Sequence, residues 1–238
     1  MTKDDTQNKP VVGLVLIAGA GLGTWVWHDI TTALTTPSLA ISFPESEAKK
    51  SMSLDDYTKI ALEQIKAWHD VDRYVIVGHS IGGIVAMQLA HLLKDQVVGL
   101  IAIGAVIPKN GGSFFSALPF PQNLVIPLIT RLAGTRPPDS AIKKSYCNDL
   151  SDAQTTEVVR RFQPESFALY GDKLLAAIPD VPRLYIKLLR DQNLKPSSQS
   201  SMAAHLKADT VTIETGHVPM LGKPVELAHI LDDFISHI

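Results

Sequence analysis

Short runs of aliphatic and β-branched residues alternate along the chain with stretches in which apolar side chains recur every three or four positions. The first pattern predicts buried strands and the second predicts amphipathic helices; their alternation predicts an α/β protein, with crossover units on a parallel sheet covered on both faces. Six strands are expected, at Val11–Ala18, Leu39–Phe43, Arg73–Val77, Val97–Val106, Arg183–Leu189 and Thr210–Glu214. Ser53-Leu54-Asp55-Asp56 reads as a helix start, a hydroxyl cap with an acid three residues on, and Leu54, Tyr57, Ala61, Ile65 and Trp68 follow at helical spacing. Leu227, Leu231, Phe234 and Ile238 give the last helix a similar stripe. Both stripes are expected in the core.

The alternation fails between Pro108 and Pro182, where prolines at 119, 121, 127, 137, 138 and 164 cut the chain into short pieces. Apolar residues crowd the first half of this stretch, from Phe114 to Ile129, and Asp152 to Phe162 reads as a helix. A long apolar excursion from the end of a sheet strand predicts a lid or binding element. The expected division is a core of residues 1–107 and 180–238 with residues 108–179 inserted as a cap.

Composition narrows the function. At 238 residues the chain suits one large domain with an insertion, and 45% hydrophobic against 19% charged residues suits a folded core. A net charge of -2 without any Lys/Arg block gives no footprint for nucleic acid or an anionic membrane. The single cysteine, Cys147, excludes an intramolecular disulfide, and no Cys/His cluster has metal-ligand spacing. The opening MTKDDTQNKP lacks the apolar core of a secretory signal, and the longest apolar run, Val97–Ile107, is too short to cross a bilayer. A cytoplasmic protein is expected.

Chemistry enters at Val75–Leu93, where a strand turns into a helix through Gly78-His79-Ser80-Ile81-Gly82-Gly83. A bare Gly-x-Ser-x-Gly occurs by chance in roughly one chain of this length in twenty, but here it has the strand before it and the helix after it that a nucleophile elbow demands. The glycines are expected because Cβ atoms in so tight a corner would collide with the neighbouring strand. A serine hydroxyl is a weak nucleophile at neutral pH, so a base and an orienting acid are required.

Of eight histidines, those at 28, 69, 91, 205, 229 and 237 fall in or beside predicted helices, and His79 is expected to point away from Ser80 into the scaffold. His217 follows the last strand in Thr215-Gly216-His217-Val218-Pro219, at the edge where loops carry sites, and is the candidate base. Asp191 follows strand Arg183–Leu189 at the same edge and is the candidate acid, although an Asp near Asn193 also suits a simple turn. Asp180 and Asp209 precede strands and belong at the opposite edge. For a developing oxyanion, the backbone N–H groups of Ile81 and of Ala20, in the loop Ala18-Gly19-Ala20-Gly21-Leu22-Gly23, are the expected donors. A dinucleotide fingerprint in that loop is a poorer reading, since its third glycine and the acid ending the second strand are missing.

Taken together, Gly78-His79-Ser80-Ile81-Gly82-Gly83, Asp191 and Gly216-His217 resemble the α/β-hydrolase fold. The early Ala18-Gly19-Ala20-Gly21 loop, Trp25-Val26-Trp27, and the stretch from Ser145-Tyr146-Cys147 to Pro164-Glu165 resemble its compact branch, the plant methylesterases and hydroxynitrile lyases with their bacterial esterase relatives. The lyases of that branch carry lysine after the catalytic histidine and threonine at the first loop glycine; Val218 and Gly19 stand there, which implies ester hydrolysis. One departure is Ala18-Gly19 in place of the usual His-Gly, which keeps the backbone donor and loses a side chain that helps anchor the loop.

The reaction implied is acyl transfer from a small hydrophobic or aromatic ester through a covalent intermediate on Ser80, with no metal or organic cofactor. The apolar cap suggests the substrate class. Alternatives on the same fold are a thioesterase or acyltransferase, a cyanohydrin lyase, and a ligand receptor without turnover. A small-molecule ester is the expected partner, and a homodimer is left open.

Overall fold

The computed structural model describes residues 10–238; the N-terminal stretch read above for targeting lies almost wholly outside them. All six expected strands are present, as β1 Val12–Ile17, β2 Ser38–Ala40, β3 Arg73–His79, β4 Val97–Ile103, β5 Arg183–Leu188 and β6 Asp209–Ile213. They form one sheet in the order β2-β1-β3-β4-β5-β6, every pair parallel. The chain leaves β1 toward one side and returns as β3 on the other, so the loops after these two strands part around a crevice at the sheet's C-terminal edge, where such folds bind ligands.

The near-continuous apolar runs are explained by burial on both faces. Ile76, Leu100 and Ala102 join one core cluster with Tyr57, Ala61 and Ile65, while Val75, Val77, Ile101 and Ile103 join the other with Leu227 and Leu231. Helix Leu54–Lys66 starts as the sequence indicates: Ser53 accepts from the Asp56 N–H and Asp56 answers to the Ser53 backbone, a reciprocal cap. The last helix, Pro224–Ser236, buries Leu227 and Leu231, but Ile238 lies beyond its end and is exposed, so that part of the expected stripe is corrected.

Between β4 and β5 the chain forms helices Phe114–Ala117, Gln122–Ala133, Asp139–Tyr146, Asp152–Arg161 and Phe167–Gly171. The apolar first half divides unexpectedly. Phe115 is buried and Phe114 sets its ring against Tyr170, 5.1 Å away. Phe120, Leu124, Val125, Leu128, Ile129 and Leu132 instead face outward, and helix Gln122–Ala133 buries no residue.

Candidate active site

Ser80 sits at the end of β3 with φ +53°, a left-handed conformation that costs a non-glycine residue roughly 1 kcal/mol or more. The corner is held by three backbone bonds: Ser80 N–H to Ile103 O at 3.1 Å, and the Gly83 and Val106 N–H groups to Ser80 O at 3.1 and 3.0 Å. The glycines are there for close approach. A Cβ on Gly82 would stand 2.7 Å from the Ala18 carbonyl oxygen at the end of β1, and one on Gly83 would stand 2.8 Å from Ala105 Cβ after β4. Gly78 departs from expectation: its neighbours are Gly82 and Gly83 of the elbow itself, not another strand.

The three expected side chains meet. His217 Nε2 lies 3.0 Å from Ser80 Oγ, and His217 Nδ1 lies 2.8 Å from Asp191 Oδ2. A carboxylate accepts, so the proton sits on Nδ1, and Nε2 is left to accept from the serine hydroxyl. All three residues are nearly closed off from solvent, with Ser80 6%, Asp191 2% and His217 0% exposed. Asp191 both forms its turn and reaches the histidine. Its Oδ1 accepts from the Asn193 and Leu194 N–H groups at 2.7 and 2.9 Å, and Oδ2 also receives Gln199 Nε2 at 3.2 Å. Asp180 and Asp209 lie at the starts of β5 and β6, far from this edge.

His79 does more than fill the scaffold. Its Nδ1 accepts from the Gly19 N–H at 3.2 Å and its Nε2–H donates to the His217 carbonyl at 2.7 Å, so one imidazole ties the loop after β1 to the loop after β6. Accepting at Nδ1 demands the neutral ring, and the His217 carbonyl puts its one proton on Nε2. Burial, with the neighbouring His217, lowers the His79 pKa to about 3. This bond anchors the loop that the Ala18 substitution was expected to loosen.

A second anchor comes from the segment between β4 and β5. Glu165 Oε1 accepts from the Gly21 N–H at 3.2 Å and from Lys49 Nζ at 3.0 Å, and Oε2 accepts from the Tyr57 hydroxyl at 2.6 Å. Lys49 and Glu165 are both buried, a pairing that survives burial because each charge is neutralised in place. Burial and the Glu165 carboxylate raise the Tyr57 pKa, keeping its hydroxyl a donor. With Gly19 and Gly21 thus engaged, the Ala20 N–H between them has no acceptor among the described residues, and neither has the Ile81 N–H.

A narrow pocket runs along these donors, walled by Leu22, Phe43, Tyr57, Val85, Glu165 and Leu169. A cavity of about 420 Å³ adjoins it, sharing Ala18, Leu22 and Phe43 and adding Thr24, Ser42, Glu45, Lys49 and Gln163. The apolar stretch Phe114–Ile129 contributes nothing to either wall, so the expected hydrophobic substrate does not follow from it.

A wholly parallel sheet whose third strand ends in a strained serine, with a histidine and a carboxylate on later loops of the same edge, defines the class of α/β proteins built around a nucleophile elbow. The sequence pattern of the alpha/beta hydrolase family matches residues 14–230, and the chain belongs to that family. It is 25% identical to methylesterase 17 of Arabidopsis thaliana, over 91% of this chain and 89% of the relative. Among solved structures, an extracellular α/β-hydrolase from a Paenibacillus species superposes with a TM-score of 0.81 at 17% identity, covering 94% of this chain and 98% of the other. A pyrethroid hydrolase from Sphingobium faniae superposes with a TM-score of 0.75 at 22% identity over 94% and 98%.

Proposed function

We propose that the protein is a carboxylesterase that cleaves small esters through an acyl-enzyme on Ser80. The observation that carries this reading is the unbroken relay from Ser80 Oγ to His217 at 3.0 Å and on to Asp191 at 2.8 Å. The esterase and hydrolase names of its relatives support it. His217 Nε2 takes the hydroxyl proton as Oγ bonds to the ester carbonyl carbon, while Asp191 fixes the tautomer and stabilises the imidazolium. The Ala20 and Ile81 N–H groups receive the oxyanion, each worth on the order of 3 kcal/mol. Collapse expels the alcohol, which takes the proton from His217, and water then releases the acid by the same steps in reverse.

In this reading residues 108–179 cap the site. The support is the Glu165 bond to the loop after β1 and the edge of the Tyr146 ring set on His217, 5.0 Å away. The narrow apolar pocket, with only about 10 Å³ of free space, suits a group no larger than a methyl, with the rest of the ester in the adjoining cavity. Cyanohydrin cleavage fits less well: a Cβ at position 19 would stand 2.8 Å from Ser80 Cβ, and Val218 is buried where the lyases have lysine.

For partners the reading holds a small-molecule ester, no nucleic acid, and a second copy of the chain. The outward side chains of Phe120, Leu124, Val125, Leu128, Ile129 and Leu132, all exposed, support the homodimer as one contiguous apolar face. A cytoplasmic setting is part of this reading, its support being the single cysteine, Cys147, which leaves no intramolecular disulfide to form. No helix among the described residues is long and apolar enough to cross a membrane. The test is a panel of p-nitrophenyl esters of rising chain length, assayed with the native protein and Ser80→Ala. Hydrolysis of short esters that Ser80→Ala loses by at least about 10³-fold is expected; equal rates in the two proteins would overturn the reading.

A further inference from the structure

The segment that follows helix Asp139–Tyr146 grips both loops that carry the base and the acid. Asn148 Nδ2 donates to the carbonyl of Arg190, the residue before Asp191, at 3.0 Å. Asp149 Oδ2 accepts from the Thr215 hydroxyl at 2.9 Å and from the Gly216 N–H, the two residues that lead into His217. Tyr146 stands edge-on to the His217 ring, at 89° between planes.

The other oxygen of Asp149 is the informative one. Oδ1 is buried with no hydrogen-bond partner among the described residues, and it presses on Gly216 so closely that a Cβ there would come within 2.4 Å of it. Burying a carboxylate half-satisfied is unfavourable for the fold. The satisfied half fixes the backbone immediately before His217. That backbone is also held by the Thr215 N–H on Ile213 O and the Arg190 N–H on Thr215 O, both at 3.0 Å, and by His79 on His217 O.

We infer that Asp149 is a positioning residue for the base: by holding Thr215 and Gly216 it sets where the His217 ring meets Ser80 and Asp191. The inference rests on the carboxylesterase reading. It also makes the seating of residues 146–149 and the alignment of His217 a single event, so a displaced cap would carry a misaligned base. A misplacement of about 1 Å at such a centre costs on the order of 10²-fold in rate.

The experiment compares Asp149→Ala and Asp149→Asn on the p-nitrophenyl ester the native protein turns over best, and records the downfield proton resonance of His217 Nδ1–H without substrate. Asp149→Ala is expected to lower kcat about 10- to 100-fold with KM within about twofold, and to broaden or remove the resonance. Asp149→Asn, whose amide oxygen accepts from the same two donors, is expected to restore both. Native kcat and an unchanged resonance in Asp149→Ala would overturn the inference, as would an Asn variant no better than Ala. If Asp149→Ala does not fold, Thr215→Val removes one of the two donors and must still lower kcat measurably with KM unchanged; a native kcat in it would overturn the inference. Ser80→Ala separates the readings: if it keeps full activity the esterase reading fails, whereas the resonance tests the positioning of His217 independently of turnover.

Discussion

His79 shows what one residue contributes to both fold and site. Folded, it is neutral with a pKa of about 3; unfolded, an ordinary histidine titrates near 6.5. The unfolded chain therefore binds the extra proton between these values, so this contribution to stability is full above about pH 6.5 and drains away as the pH falls toward 3. Urea unfolding of the native protein should lose stability between pH 7.5 and 5, and His79→Gln should lose less over that interval. A variant with the same pH dependence as the native protein would contradict this. His79→Gln should also lower kcat, because Gly19 and His217 share the ring. Ser80, Asp191 and His217 were legible because each is placed by a local pattern, a strand followed by a turn at one edge. The partners of His79 lie 60 and 138 positions away, and those of Glu165 up to 144, so nothing in the local sequence announces them.

At the scale of elements, the strands and the Ser53 cap follow from patterning, and the differences lie at ends. β2 pairs with β1 alone and shrinks to three residues, and β4 stops at Ile103 because Gly104 turns the chain with φ +45°. Helix Gln122–Ala133 faces outward for a reason the sequence does not carry: apolar spacing shows that a face seeks cover, not what covers it. Its outward Leu128 offers a direct check. Light scattering at tens of micromolar should give about twice the 25.9 kDa chain mass, and Leu128→Glu should give a monomer that still folds, since the side chain is 60% exposed in the single chain. A native monomer at that concentration would contradict the homodimer.

For the whole molecule, the sheet order decides where chemistry can happen. The switch between β1 and β3 puts the loop of Ala20 beside the elbow of Ser80, and the later strands deliver Asp191 and His217 to the same edge. That architecture was legible in the alternation of strands and helices. The grip on the site of the segment between β4 and β5, through Glu165, Asp149 and Tyr146, was not, because it joins segments that no periodicity links. If Ser80 becomes a covalent nucleophile through His217, rapid-quench mass spectrometry during turnover of p-nitrophenyl acetate should find an acetyl adduct on the peptide containing Ser80, absent from Ser80→Ala and strongly reduced in His217→Ala. Steady hydrolysis with no adduct on that peptide, undiminished in Ser80→Ala, would rule out acyl transfer to Ser80.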